Sequence, residues 1–305
     1  MSVPRVESAV QTEPGLRPVN EDAVVSRRLP DGRWFAAVAD GMGGLQAGEM
    51  ASRTAVEVML REVGNGSDLV AAVETAHRAI LHEADGRPMG TTVVAALVDQ
   101  RGLSIASVGD SRAYLLGPAG LVRVTKDHTV GAEAGERGES VIGDVVADSR
   151  WGRALTRSLG SAEPLRVDRF GPFRLEEGIR VLLCSDGVHE VLPDEVIEAF
   201  LRGPSDIDVT VRRLVDASLD RGSRDNVSAV LLRSAGAAGR PERLLPLEAA
   251  GDVTADPEGW DLAALVARSH NPMRRKPGRL NAVLLVVGLF LAIATMILLL
   301  RTMTG

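Results

Sequence analysis

Four short acidic stretches have residue types that could do chemistry together. VADGMGG at 38–44 puts Asp40 and Gly41 at the end of an apolar run, and LLCSDGV at 182–188 does the same with Asp186 and Gly187. SRDN at 223–226 places Asp225 just ahead of an apolar run, and NED at 20–22 places Glu21 and Asp22 ahead of the first ones. Any one Asp-Gly pair reads as a turn. Several carboxylates converging at strand ends, however, would repel one another unless cations neutralised them. With no His or Cys partner, such oxygen ligands suit hard ions, Mg2+ or Mn2+, rather than zinc. Two ions bridged by one aspartate would make a site for in-line attack by metal-bound water.

The elements that must carry these residues can be read from hydrophobic pattern and turn signals. A short buried strand is expected over 33–39, ending at Asp40, with a glycine loop after it. A helix follows over 47–63, with Ala51, Ala55, Val58 and Met59 on one face. A second helix runs to Ala84, with Ser67 as its N-cap. After Gly90 the period changes to short β-rich runs (TTVVAALV, LSIASV, RAYLL, LVRVT) separated by turn residues, which reads as an antiparallel meander. The stretch 130–150 is polar, glycine-rich and acidic, an excursion from the fold. A buried strand at 179–184, helices over 193–201 and 206–219, and a closing strand at 227–232 complete an α+β domain.

Composition narrows the function. Net charge is −6, which argues against a nucleic-acid surface, so no nucleic-acid partner is expected. Aromatic residues are only 3%, leaving Ala, Val and Leu to build the core. The single cysteine, Cys184, excludes a disulfide framework and a multi-cysteine zinc site. The N-terminal stretch has no apolar segment of the signal-peptide kind. At the other end LNAVLLVVGLFLAIATMILLL, 280–300, carries no charge and is long enough to cross a bilayer as a helix. Arg274, Arg275, Lys276 and Arg279 precede it and only Arg301 follows, so the positive-inside bias puts the domain in the cytoplasm. The expected division is a domain over 1–233, a linker over 234–279, a transmembrane helix over 280–300 and a short extracytoplasmic tail over 301–305. That makes a protein of the cell membrane.

GLRPVNEDA, VADGMGGLQAGEMAS, MGTTVVAALV, VGDSRAYLL, TKDHT, LTRSLG, LLCSDGV and SRDNVSAVLL follow one another in that order. This series resembles the metal-dependent protein serine/threonine phosphatases of the 2C type, in their bacterial branch, from about residue 17 to 232. The resemblance implies a sandwich of two antiparallel β-sheets flanked by helices, with the metal site at one end. It implies that Asp40 bridges two Mn2+ or Mg2+ ions and that Gly41 gives its carbonyl to the second, where a side chain would crowd the approach. Asp186 and Asp225 would bind the first ion, and Glu21 and Asp22 would act mainly through metal-bound waters. Asp127 would help hold a weaker third ion. Arg17 would grip the substrate phosphate, a role suited to a bidentate guanidinium. The implied reaction is hydrolysis of phosphoserine and phosphothreonine in cytoplasmic proteins by attack of a metal-bridging water. Membrane Ser/Thr kinases are the expected counterparts, and the excursion at 130–150 corresponds to the family's flap.

The sequence also departs from the family. Relatives carry a histidine where Met42 or Leu45 stands here, so the usual acid for the leaving group is missing. A metal-bound water could supply that proton; His128, beside Asp127, reads as a structural neighbour. Cys184 is not a phosphatase nucleophile, because Cys-x5-Arg would need arginine where Glu190 stands. Asp110 and Arg112 read as fixing a turn between strands, and Asp144 and Asp148 as solvated. The alternative is a pseudophosphatase, a binding module on the same fold. Retention of Asp40, Asp186 and Asp225 favours the enzyme.

Overall fold

The computed structural model describes residues 3–43, 46–136, 151–161, 164–204 and 206–235. Leu45, Asp144, Asp148, the linker and the apolar segment 280–300 lie outside the described residues. Among the described residues no helix is long and apolar enough to cross a membrane.

Two antiparallel sheets form the centre. The first runs β1 (Val6–Glu13), β11 (Val227–Ser234), β10 (Arg180–Cys184), β7 (Arg112–Gly117), β8 (Gly120–Arg123). The second runs β2 (Asp22–Arg28), β3 (Trp34–Met42), β5 (Val93–Asp99), β6 (Gly102–Val108), β9 (Asp168–Phe173), with the two-residue β4 (Gly90–Thr91) on the end of β3. Helices α1 (Ala47–Gly64) and α2 (Leu69–Ala84) cover the second sheet; α5 (Asp194–Arg202) and α6 (Ile207–Asp220) cover the first. The short helices α3 (Val130–Glu136) and α4 (Asp186–His189) lie between.

Strand β3 explains why its sequence is apolar throughout rather than alternating. Phe35, Ala37 and Ala39 face α1 and α2, packing with Ala51, Ala55, Met59, Ala76 and Ile80. Ala36 and Val38 face the other sheet, packing with Val181, Leu183, Val230 and Leu232. A strand buried on both faces has no polar side to reveal its period. Small side chains at these positions let three layers of core stack closely despite the scarcity of aromatics.

The structure corrects four details of the sequence reading. Strand β3 continues past Asp40 to Met42, because β4 pairs with residues 41 and 42. The cap of α2 is Asp68, whose carboxylate accepts from the Ala71 amide at 3.0 Å; Ser67 lies one residue outside. Residues 6–13, given no element from sequence, form β1 and pair along all of β11. The expected meander is split: β5 and β6 belong to one sheet, β7 and β8 to the other, and the turn Gly109-Asp110-Ser111 carries the chain across.

Candidate metal centre

The acidic residues meet at one end of the sandwich because strands from both sheets terminate there. Asp22 opens β2 and is the direct register partner of Asp40 on β3, which puts their side chains side by side on one face. In the other sheet, Asp186 begins α4 immediately after β10, and Asp225 stands two residues ahead of β11. Ser185 joins the two sets: its hydroxyl donates to Asp22 Oδ2 at 2.9 Å and accepts from the Ser228 amide at 3.0 Å. Asn226 fastens the Glu21 loop. Its side-chain oxygen accepts from the Glu21 amide at 2.8 Å, while its amide nitrogen donates to the carbonyls of Pro14 and Val19.

Asp40 is held through its backbone. Its amide donates to Thr92 Oγ1 at 3.1 Å, and its carbonyl accepts from Thr91 Oγ1 at 2.8 Å and from the Thr92 amide at 2.9 Å. The carboxylate is thus aimed by a rigid ladder. The two threonines of MGTT, quoted from sequence only as part of a motif, prove to be its supports.

Burial and crowding disfavour ionisation of Glu21, Asp22, Asp40 and Asp186. Burial pushes the Asp22 carboxyl up to about 6, against hydrogen bonds from Ser228 and Ser185 and with the Asp225 charge adding to it. Asp40 is pushed well above the usual carboxylate range by burial, then by Asp22, Asp186, Asp110 and Asp225. Asp186 is raised likewise, by burial and then Asp110 and Asp225. Burial also raises Glu21, with Arg17 opposing it. Three buried carboxylate oxygens, Glu21 Oε1, Asp22 Oδ1 and Asp186 Oδ1, have no hydrogen-bond partner among the described residues. Each such orphan costs roughly 1–3 kcal/mol unless something pairs with it. Among the described residues no three His, Cys, Asp or Glu side chains close on a common point as a finished metal site. The fit to a metal rests on the donor set: orphaned hard oxygens, net negative, with no nitrogen or sulfur ligand, which suits Mg2+ or Mn2+.

The remaining expected residues fall around this cluster in different ways. Gly41 lies beside it, but a Cβ there would stand 2.2 Å from the Gly48 carbonyl oxygen and 2.6 Å from that of Glu21. Backbone from α1 and the Glu21 loop by itself already excludes a side chain there. Arg17 donates to Asp225 Oδ2 at 2.6 Å, so the expected phosphate grip rests on an expected metal ligand. Asp127 is engaged elsewhere: Arg112 Nε and one terminal nitrogen donate to its two oxygens at 2.9 and 2.6 Å. Burial alone would raise that carboxyl, yet the Arg112 hydrogen bonds hold it below its usual range.

Asp110, read from sequence as a turn residue, acts electrostatically on the cluster. Burial and the Asp127 charge push it up to about 6, and it heads the charges acting on Asp186. Its neighbours are all pinned. Gly109, at φ +100°, donates to His128 Nδ1 and accepts from the His128 amide, both at 3.0 Å. Ser111 shares a 2.7 Å hydrogen bond with Thr92, and Arg112 holds Asp127. The turn therefore does fix a connection between strands, as expected, but one that crosses from sheet to sheet, and it leaves Asp110 within electrostatic reach of Asp186. His128 is 2% exposed, with Nδ1 accepting from the turn and Nε2 3.2 Å from Asp168, which agrees with its reading as a structural neighbour. Cys184 is a fully buried strand residue whose thiol burial pushes up to about 12, too high for a nucleophile.

Comparison with known proteins agrees with this fold. The family model described as Protein phosphatase 2C matches residues 17–232. A protein of Listeria monocytogenes, Serine/threonine phosphatase stp, is 32% identical over 232 residues, covering 71% of this chain and 91% of that one. The solved Streptococcus agalactiae serine/threonine phosphatase superposes with a TM-score of 0.70 at 27% identity, covering 75% of this chain and 100% of the other. The catalytic domain of the serine threonine protein phosphatase PstP, solved in complex with 2 manganese ions, gives a TM-score of 0.62 at 30% identity, covering 75% and 97%.

Proposed function

Because this chain belongs to the protein phosphatase 2C family and is a protein serine/threonine phosphatase, we propose that its acidic cleft binds Mn2+ or Mg2+ and hydrolyses phosphoserine and phosphothreonine in cytoplasmic proteins. The observation that carries this reading is the convergence of Asp22, Asp40, Asp186 and Asp225 from two sheets, with buried oxygens left unpaired. When bound, two such ions supply an activated water and neutralise charge on the phosphoryl group. Asp40 would hold both, Asp186 and Asp225 the first, and Glu21 and Asp22 would orient the waters around them. For the third, weaker ion we propose Asp110 and Asp186, since the Asp110 charge acts most strongly on Asp186 and Asp127 is held by Arg112.

Arg17 sits at the rim, with its side chain 53% exposed, where an incoming phosphate can take it from Asp225. A planar guanidinium can then bind two phosphoryl oxygens at once. The leaving alkoxide needs a proton, and neither Met42 nor His128 is placed to give it: the first has no proton to give, and the second is buried with Nδ1 accepting from the Gly109 amide and Nε2 facing Asp168 at 3.2 Å.

The segment 280–300 is proposed as a membrane anchor with the catalytic domain on the cytoplasmic side, which would raise the local concentration of membrane kinases and their substrates. The direct test of the activity is a phosphothreonine peptide. Turnover with Mn2+ that stops in EDTA supports the proposal; turnover that persists in EDTA refutes it.

A further inference from the structure

His189 lies three residues after Asp186 on the one-turn helix α4. Its Nε2 stands 3.0 Å from the backbone carbonyl oxygen of Asp110. A carbonyl oxygen can only accept, so the imidazole carries its proton on Nε2 and donates it there. This contact ties together two elements from different parts of the fold. Asp110 is in the turn that crosses from β6 to β7, and Asp186 opens α4 beyond β10.

The other ties on the turn run elsewhere. His128 holds Gly109 to the segment after β8, Thr92 holds Ser111 to β5's approach, and Arg112 holds Asp127. His189 is the tie that leads to the helix carrying Asp186. The Asp110 charge is the largest of those acting on Asp186, and a turn held only at its far side would yield to that repulsion. We propose that His189 is a positioning residue: its Nε2–H holds the Asp110 carbonyl against α4 and so sets the spacing of the Asp110 and Asp186 carboxylates at a shared cation site. The proposal rests on the divalent-cation reading of the cleft. Partners that orient ligands in this way are worth about 10- to 100-fold in metal affinity.

The experiment is calorimetric titration of the full-length chain with MnCl2 at neutral pH, for wild type, His189→Leu and His189→Gln. Gln keeps an N–H donor at the depth of Nε2; Leu fills similar space without one. The weakest Mn2+ step should weaken by at least about tenfold in His189→Leu and stay within about threefold in His189→Gln. A role in packing alone would not separate Gln from Leu. Uptake by His189→Leu equal to wild type overturns the proposal, as does a Gln variant as weak as Leu, and either leaves the cation reading standing. Wild-type protein that takes up no Mn2+ overturns both. Long-range 1H–15N correlation on the wild-type chain reads the tautomer without any substitution, so a Leu variant that failed to fold would not protect the idea. A proton on Nε2 supports the role, and a proton on Nδ1 overturns it.

Discussion

Asp225 and Arg17 form one ion pair in the structure yet have separable tasks. Their side chains are 36% and 53% exposed, and pairs of that kind are worth only about 0–1 kcal/mol, so exchange of Arg17 onto a substrate phosphate costs little. Asp225→Asn is expected to lower turnover at least about 100-fold and to weaken Mn2+ uptake. Arg17→Ala should instead raise KM for a phosphopeptide and leave Mn2+ uptake intact. Equal Mn2+ affinity in Asp225→Asn would remove it from the ligand set. Residues of this sort were legible in sequence when a strand end, a glycine and an aspartate coincided, as at Asp40 and Asp186. Asp110 was not, because GDS reads as a turn and nothing local tells that the turn crosses between sheets. Asp127 was expected at a metal from the resemblance alone; its partner Arg112, fifteen residues away across the β7–β8 hairpin, had no local signal.

Elements were legible where one face is exposed and harder to bound where none is. Helices α1, α5 and α6 stand within a residue or two of their expected spans, since their apolar stripes follow the helical period. Strand β3, buried on both faces, gave its existence but not its end, which depends on pairing with β4. The start of α2 offers a clean test. Asp68 accepts from Ala71 and so satisfies a free amide of the first turn. Asp68→Ala should cost about 1 kcal/mol in a denaturant melt and leave kcat unchanged, because the cap is remote from the cleft. Ser67→Ala should cost less; a larger loss there would restore Ser67 as the cap.

At the scale of the molecule, two sheets and their outer helices exist to bring strand ends together, and the charges gathered there work against the bare fold. Asp22 and Asp110 hold protons up to about 6, and burial and neighbouring carboxylates hold Asp40 and Asp186 well above the usual carboxylate range. Each ionises in the unfolded chain near its ordinary value, so folding stability from these groups falls as pH rises through that window. The buried His77 and His189 act oppositely, their protonation in the unfolded chain favouring unfolding as pH falls below the ordinary histidine range. Beyond the domain, deleting residues 280–305 should move the protein from the membrane to the soluble fraction with kcat retained; a truncated chain still in membranes would refute the anchor. The most direct measurement of the central claim is Mn2+ titration by calorimetry, at neutral pH and about two units lower. Ions that replace protons on these carboxylates should bind at neutral pH with proton release and markedly more weakly in acid. No uptake by folded protein, or uptake indifferent to pH, would contradict a metal-filled acidic cleft.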